Sequence, residues 1–208
     1  MTCKELIYKN AFHHIEKIYH DSKYDPNIDL YRSCDILNSI SEEQFANYDW
    51  LIQTLIQYLN DKHLTFPLRD VCVMASWYGY CGVFLRKHIE ANVKIWNIDS
   101  DPLCMQYGIQ SENTIAITED AVDYYFDRTD AFQLIINMSC ENMEQDDITM
   151  IVQSKPIDSI VCFQSSNNHE KAENINTYDS LEEFVDSLKL AHVFYQGEFN
   201  SKYMVIGI

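Results

Sequence analysis

Residues 69 to 101 constrain this chain more than any other stretch. Val71 to Ala75 is a short apolar run, Gly79 and Gly82 interrupt the residues after it, Val83 to Ile89 has helical spacing, and Val93 to Ile98 is a second apolar run ending on Asp99. That is the outline of a βαβ unit. In such a unit a strand stops, the chain reverses over a residue without Cβ, and a helix begins with free N–H groups facing the strand ends, so the first turn is suited to nucleotides and related cofactors. An acid at the tip of the second strand accepts hydrogen bonds from ribose hydroxyls. Gly79 to Asp99 is 99 − 79 = 20 residues, the separation that pairing uses. The glycine pattern is G-x-x-G and not G-x-G-x-x-G, and Trp77 and Tyr78 fill the turn. Bulky residues there argue against a pyrophosphate lying on bare backbone. They suit a ligand without phosphate, whose ribose and base are held by side chains.

A chain of 208 residues, 47% apolar, is long enough for one α/β domain with a full core. Fifteen Lys and Arg face thirty-two Asp and Glu, a net charge of −17, which repels DNA or RNA at long range and disfavours nucleic acid as a partner. No basic patch offsets this; the densest basic pair is Arg86-Lys87. An acidic surface first of all serves solubility, and the sharper reading is a docking face for a basic partner. No stretch approaches the roughly 20 apolar residues of a membrane span, and Met-Thr-Cys-Lys-Glu-Leu is not the start of a signal peptide, so a cytoplasmic protein without membrane contact is expected. Seven cysteines at 3, 34, 72, 81, 104, 140 and 162, with no C-x-x-C, give neither a disulfide framework nor a zinc site. Cys72 and Cys162 read as small core residues. His13, His14 and His20 suggest a metal site, but adjacent histidines on a helix point about 100° apart and no carboxylate pair converges on them, so no metal is expected.

In order along the chain, residues 1 to 20 predict a helix with an apolar face of Leu6, Ile7, Phe12, Ile15, Ile18 and Tyr19. Asp21 to Arg32, with Asp25-Pro26-Asn27, reads as loop. Ser41-Glu-Glu-Gln44 is a capping box that opens a helix to about Asn60, and Pro67 closes the connection into the first strand. Asp101-Pro102 starts another helix. Strands are expected at Thr114 to Thr118, Ala131 to Asn137 and Ser159 to Phe163, with helices at Val122 to Phe126, at Asp146 to Val152 and after Ser180. Ala191 to Glu198 and Tyr203 to Ile208 read as a terminal antiparallel pair. The alternation predicts an α/β fold with a doubly wound, mostly parallel sheet, N-terminal helices over residues 1 to 64, and an α/β domain over 65 to 208 ending in a C-terminal antiparallel hairpin. Ligands of such sheets lie at the carboxyl ends of the strands, which here carry Ser76 to Gly79, Asp99, Glu119-Asp120, Asn137 to Glu141 and Gln164 to Asn168.

This series of strand tips, with Ser76-Trp-Tyr-Gly79, an acid twenty residues on, Glu119-Asp-Ala121 and Asn137-Met-Ser-Cys-Glu-Asn-Met143, resembles a class I S-adenosylmethionine-dependent methyltransferase. It is similar to small methyltransferase-like proteins of phages and some bacteria, for which the compartment would be the host cytoplasm. The resemblance implies S-adenosylmethionine as cofactor. Ala75, Ser76, Trp77, Tyr78 and Gly79 would wrap its methionine part, Asp99 and Ser100 would meet the ribose, Asp120 and Ala121 the adenine, and Asn137, Cys140 and Glu141 would face the substrate. Two departures stand out. The acid usual near the end of the first strand is replaced by Met74 or Ala75, and the fourth tip lacks the Asn/Asp-Pro-Pro-aromatic motif of enzymes that methylate nucleic-acid amino groups.

Methyl transfer needs an in-line nucleophile with water excluded, and a base only where a proton must leave. Glu141 is the candidate base, while Cys140 has no adjacent His or Lys to lower its pKa. The implied activity is methyl transfer to a small molecule or a protein. The alternatives are a methyltransferase-like binding or regulatory protein without turnover, an acidic charge mimic that occupies a nucleic-acid-binding partner, and a nicotinamide-binding protein, against which the glycine deficit counts.

Overall fold

The computed structural model describes residues 1–24, 30–61, 68–109 and 111–208. Asp25-Pro26-Asn27 and Pro67 lie outside the described residues. Three helices precede the sheet: α1 (Cys3–Ser22), α2 (Tyr31–Ser39) and α3 (Glu42–Asp61). The alternating part then runs β1 (Asp70–Met74), α4 (Tyr80–Arg86), β2 (Lys94–Asp99), α5 (Pro102–Tyr107), β3 (Thr114–Thr118), α6 (Ala121–Phe126), β4 (Leu134–Asn137), α7 (Gln145–Ser154), β5 (Ile160–Ser166), α8 (Leu181–Leu188), β6 (Val193–Phe199) and β7 (Lys202–Gly207). The seven strands form one sheet in the order β3-β2-β1-β4-β5-β7-β6. β1 to β5 pair in parallel, and β7 runs antiparallel to both β5 and β6. This is the expected doubly wound sheet with a C-terminal antiparallel hairpin. The order reverses between β1 and β4, which opens a crevice at their carboxyl ends.

The central strands are apolar throughout because both faces are covered. Val71 and Val73 of β1 join one core with Ile7, Leu51, Leu55 and Leu85, so α1 and α3 share a hydrophobic core with the sheet. Cys72 and Met74 face the opposite core with Tyr125, Ile148, Phe163 and Phe184. Cys72 and Cys162 are fully buried, as expected.

Several local differences have plain causes. Residues 21 to 32 read as loop, yet α2 begins at Tyr31; no side chain caps it, so the signal that marks helix starts is missing. The buried stripe of α1 is Cys3, Ile7, Ala11 and Ile18, while the predicted face residues Phe12 and Tyr19 are 50% and 60% exposed. They sit one step off the stripe that α1 presents to the core. The strand expected from Ala131 begins at Leu134, after a 3₁₀ turn at Thr129–Ala131. β5 continues through Gln164, Ser165 and Ser166, which read as a loop, because β7 pairs with each of them. Capping serines and aspartates are where expected: Ser41 Oγ accepts from Gln44 N (3.3 Å), Asp101 Oδ1 from Leu103 N (2.8 Å) and Ser180 Oγ from Glu183 N (3.1 Å).

Gly82 lets α4 lie against β2. A Cβ there would come within 2.7 Å of Asn97 Oδ1 and 3.1 Å of its Nδ2, and Asn97 is 3% exposed. Gly82→Ala is therefore expected to lower the urea-unfolding free energy by about 1–2 kcal/mol, the overpacking cost less the gain in helix propensity.

Candidate functional site

The crevice holds three adjoining cavities. One of about 250 Å³ lies between the tips of β2 and β3, lined by Asp99, Ser100, Asp120 and Ala121 with Met143 and Asp147 opposite. A second, of about 480 Å³, is bounded by Trp77, Ser139, Glu141, Asn47 and Lys202. A third, of about 70 Å³, is formed by Met74, Ala75, Ser76, Asn47 and Gln164. Ala75 lines all three and Asp99 the first two, so the cavities adjoin at the end of β1.

The turn after β1 is tighter than its single glycine suggests. Gly79 has φ 72°, and the other left-handed positions are Ala75 at 46° and Trp77 at 52°. Residues with a Cβ adopt that region at a cost of about 1–2 kcal/mol each. Hydrogen bonds hold it there: Ser76 N donates to Ile98 O (3.0 Å), and Trp77 N donates to Asp99 Oδ2 (2.8 Å). Asp101 N donates to Asp99 Oδ1 (3.0 Å). Asp99 thus ties the β1 turn to the start of α5. Its carboxyl is raised from the ordinary carboxylate range by burial, which outweighs the lowering by these two N–H groups. An ionised carboxylate has about four acceptor positions, so Asp99 retains capacity for a ligand.

Asp120 caps α6, its Oδ1 accepting from Val122 N (2.8 Å) and Asp123 N (3.1 Å). Both bonds go to the same oxygen, which leaves Oδ2 for an outside donor. Asp147 is raised by burial and then by the charges of Asp120, Asp146 and Asp123. Among the described residues, the lining of this cavity contains Asp99, Asp120, Glu144 and Asp147 and no Lys or Arg.

Glu141 is 5% exposed and forms an ion pair with Lys202, which begins β7. Its Oε2 has no partner among the described residues. Three more buried oxygens around the smallest cavity share that condition: Asn47 Oδ1, Ser76 Oγ and Gln164 Oε1, on residues no more than 7% exposed. Unpartnered buried acceptors are uncommon in folded proteins; these three belong to residues that line one cavity, while others, among them Asn97 Oδ1 and Tyr125 Oη, lie elsewhere.

Of the residues singled out from the sequence, Ala75, Ser76, Trp77, Asp99, Ser100, Asp120, Ala121 and Glu141 line the crevice. Four do not. Tyr78 is 1% exposed and packs toward the N-terminal helices. Gly79 caps α4 against Asn97. Asn137 is fully buried; its Oδ1 accepts from Ser139 N (2.8 Å) and its Nδ2 points to Met143 Sδ, so it shapes the turn after β4 and lines none of the three cavities. Cys140 is also fully buried, and burial followed by the charge of Glu141 pushes its thiol well up. Side-chain direction at a bend cannot be read from the order of residues alone. Reasoning from the sequence missed Asn47 and Lys202. The one trace of Asn47 is a polar residue at a core position of α3, and Lys202 has none, since it arrives through the hairpin. Among the described residues, no group of three or more His, Cys, Asp or Glu is placed to hold a metal.

No protein-family model and no curated protein sequence matches the chain. Solved structures do. A fibrillarin pre-rRNA processing protein of Methanococcus jannaschii superposes with a TM-score of 0.54 at 13% identity, covering 68% of this chain and 66% of that one. The fibrillarin of Aeropyrum pernix, with natively bound S-adenosyl-L-methionine, gives 0.53 at 9% identity over 68% and 67%. A provisionally assigned S-adenosylmethionine-dependent methyltransferase of Listeria monocytogenes gives 0.52 at 7% identity over 74% and 97%. The chain therefore spans about two thirds of the two archaeal proteins. Its sheet order and these superpositions together show that it has the Rossmann-like fold of the class I methyltransferases.

Proposed function

We propose that this protein binds S-adenosylmethionine in the crevice and transfers its methyl group to a small polar molecule or to a protein side chain. The observation that carries the reading is that Asp99 and Asp120, from different strand tips, line one cavity that shares Ala75 and Asp99 with the adjoining cleft holding Glu141. Four carboxylates without a basic residue repel phosphate and favour a cation, which weighs against a dinucleotide. The unpartnered oxygens of Asn47, Ser76 and Gln164 suit the N–H donors of an amino-acid ammonium group, where the acid usual at the end of β1 is missing.

When bound, the cofactor supplies an electrophilic methyl group on a sulfonium. The protein's part is positional. Asp99 would accept from the ribose hydroxyls and Asp120 Oδ2 from the adenine amino group, which would fix the cofactor's orientation in the crevice. Glu141 lines the cleft and is held by Lys202; it would accept a hydrogen bond from an N–H or O–H nucleophile and could take its proton. Net charge disfavours a polyanionic acceptor; the fold does not, since a pre-rRNA processing protein shares it.

Isothermal titration with S-adenosylmethionine is expected to give one site with a dissociation constant in the micromolar range. No heat up to millimolar ligand would remove the reading. Incubation with radiolabelled cofactor and cell extract should then label a component. Binding without labelling would instead favour a regulatory protein that has lost turnover, a reading to which the missing β1 acid lends some weight.

A further inference from the structure

We propose that α2 is a positioning element of the cofactor turn, acting through Arg32 and Asp35. Neither residue lines any of the three cavities, yet both belong to a closed circuit of hydrogen bonds that passes through the turn. Arg32 Nη1 donates to Asp35 Oδ2 (3.0 Å). The same oxygen accepts from Trp77 Nε1 (3.1 Å) and from the Tyr78 hydroxyl (2.5 Å). Trp77 N donates to Asp99 Oδ2, and Asp101 N to Asp99 Oδ1. Asp101 Oδ2 then returns to Arg32 Nη2 at 2.7 Å. Residues from α2, the β1 turn and the stretch between β2 and α5 thereby hold the indole, the left-handed backbone at Trp77 and the carboxylate of Asp99 in one arrangement.

The guanidinium fork sets this geometry. Its two terminal nitrogens reach carboxylates on different elements, Asp35 on α2 and Asp101 at the start of α5, which a lysine ammonium on a flexible stem does not reproduce. Arg32 and Asp35 side chains are 17% and 25% exposed, so the pair is shielded and stronger than a surface ion pair. A strained turn persists only where its surroundings over-determine it. α2 supplies that constraint from outside the sheet, which makes the N-terminal helices part of the binding site.

The identity of the ligand rests on the function proposed above; the constraint on the turn does not, and the experiment separates them. Arg32→Met, Arg32→Lys and Asp35→Ala are compared with the wild type by isothermal titration with S-adenosylmethionine and by amide hydrogen exchange without ligand. Each variant is expected to weaken binding about tenfold, with Arg32→Met plus Asp35→Ala little worse than either alone because they break one circuit. Exchange should quicken at the amides of Trp77 and Asp101, while β1, β4 and β5 stay protected. Unchanged exchange at those two amides overturns the proposal, and so does an equal rise across the central strands, which would mark a merely structural role. If the wild type binds no cofactor, the proposed function falls, and the exchange comparison still decides the role of α2 by the same two criteria.

Discussion

Asp99→Ala is expected to weaken S-adenosylmethionine binding by a factor of about 100 or more, since two hydrogen bonds to a charged acceptor at about 1.5–3 kcal/mol each are lost together. The same change leaves Trp77 N–H and Asp101 N–H without their acceptor, at about 1–3 kcal/mol for each donor that stays buried. Titration calorimetry reads the first effect and urea unfolding the second. Asp99→Asn keeps one carbonyl acceptor and should fall between. An unchanged dissociation constant in Asp99→Ala would refute the placement of the ribose. Acidity gives an independent check. The Asp99 carboxyl is raised by burial above its ordinary 3.8, so the folded state holds its proton more tightly than the unfolded chain does. Its contribution to stability is full below the ordinary value and is lost as pH rises through the raised one. Ligand binding runs the opposite way, because the ionised carboxylate is the better acceptor. Acidification through the raised value should weaken cofactor binding while the Asp99 contribution to stability grows, and the difference should vanish in Asp99→Asn.

The second large effect is at Glu141. Glu141→Gln is expected to reduce methyl transfer by about 10²–10⁴, the range for a lost general base, with the cofactor dissociation constant little changed. Label incorporation from radiolabelled cofactor into the accepting component of an extract measures it. The substitution also strands Lys202, whose side chain is 19% exposed and paired with Glu141, and removing one partner of a buried pair costs about 3–5 kcal/mol. Unfolding alone would also abolish activity, so a second variant is needed. The double change Glu141→Gln with Lys202→Met removes both charges, and it should recover most of the stability with none of the activity. Recovery of transfer in the double variant would show that Glu141 matters only through Lys202.

The parallel core was legible because a strand covered on both faces must be apolar, and Val71 to Met74 or Leu134 to Ile136 can satisfy that in few other ways. Helix starts at Ser41, Asp101 and Ser180 were legible because a cap is a local hydrogen bond. α2 was not, for want of a capping side chain, and neither was the polar end of β5, which is strand only because β7 lies beside it. In the candidate site, the strand-end positions of Asp99 and Asp120 led to two residues that line one cavity. Asn137 and Cys140 were also at a strand end, yet the bend after β4 turns both inward.

What the order of residues settled alone is the alternation of strand and helix, and with it the edge of the sheet that carries the strands' carboxyl ends, since each derives from hydrophobic periodicity and the handedness of a crossover. What only the folded chain decided is which polar groups face that edge. Asn47 comes from a helix that precedes the sheet and Lys202 from its last strand, while Arg32 and Asp35 line none of the three cavities and reach the turn only through hydrogen bonds. Their positions depend on packing between distant parts of the chain, and no local pattern encodes that.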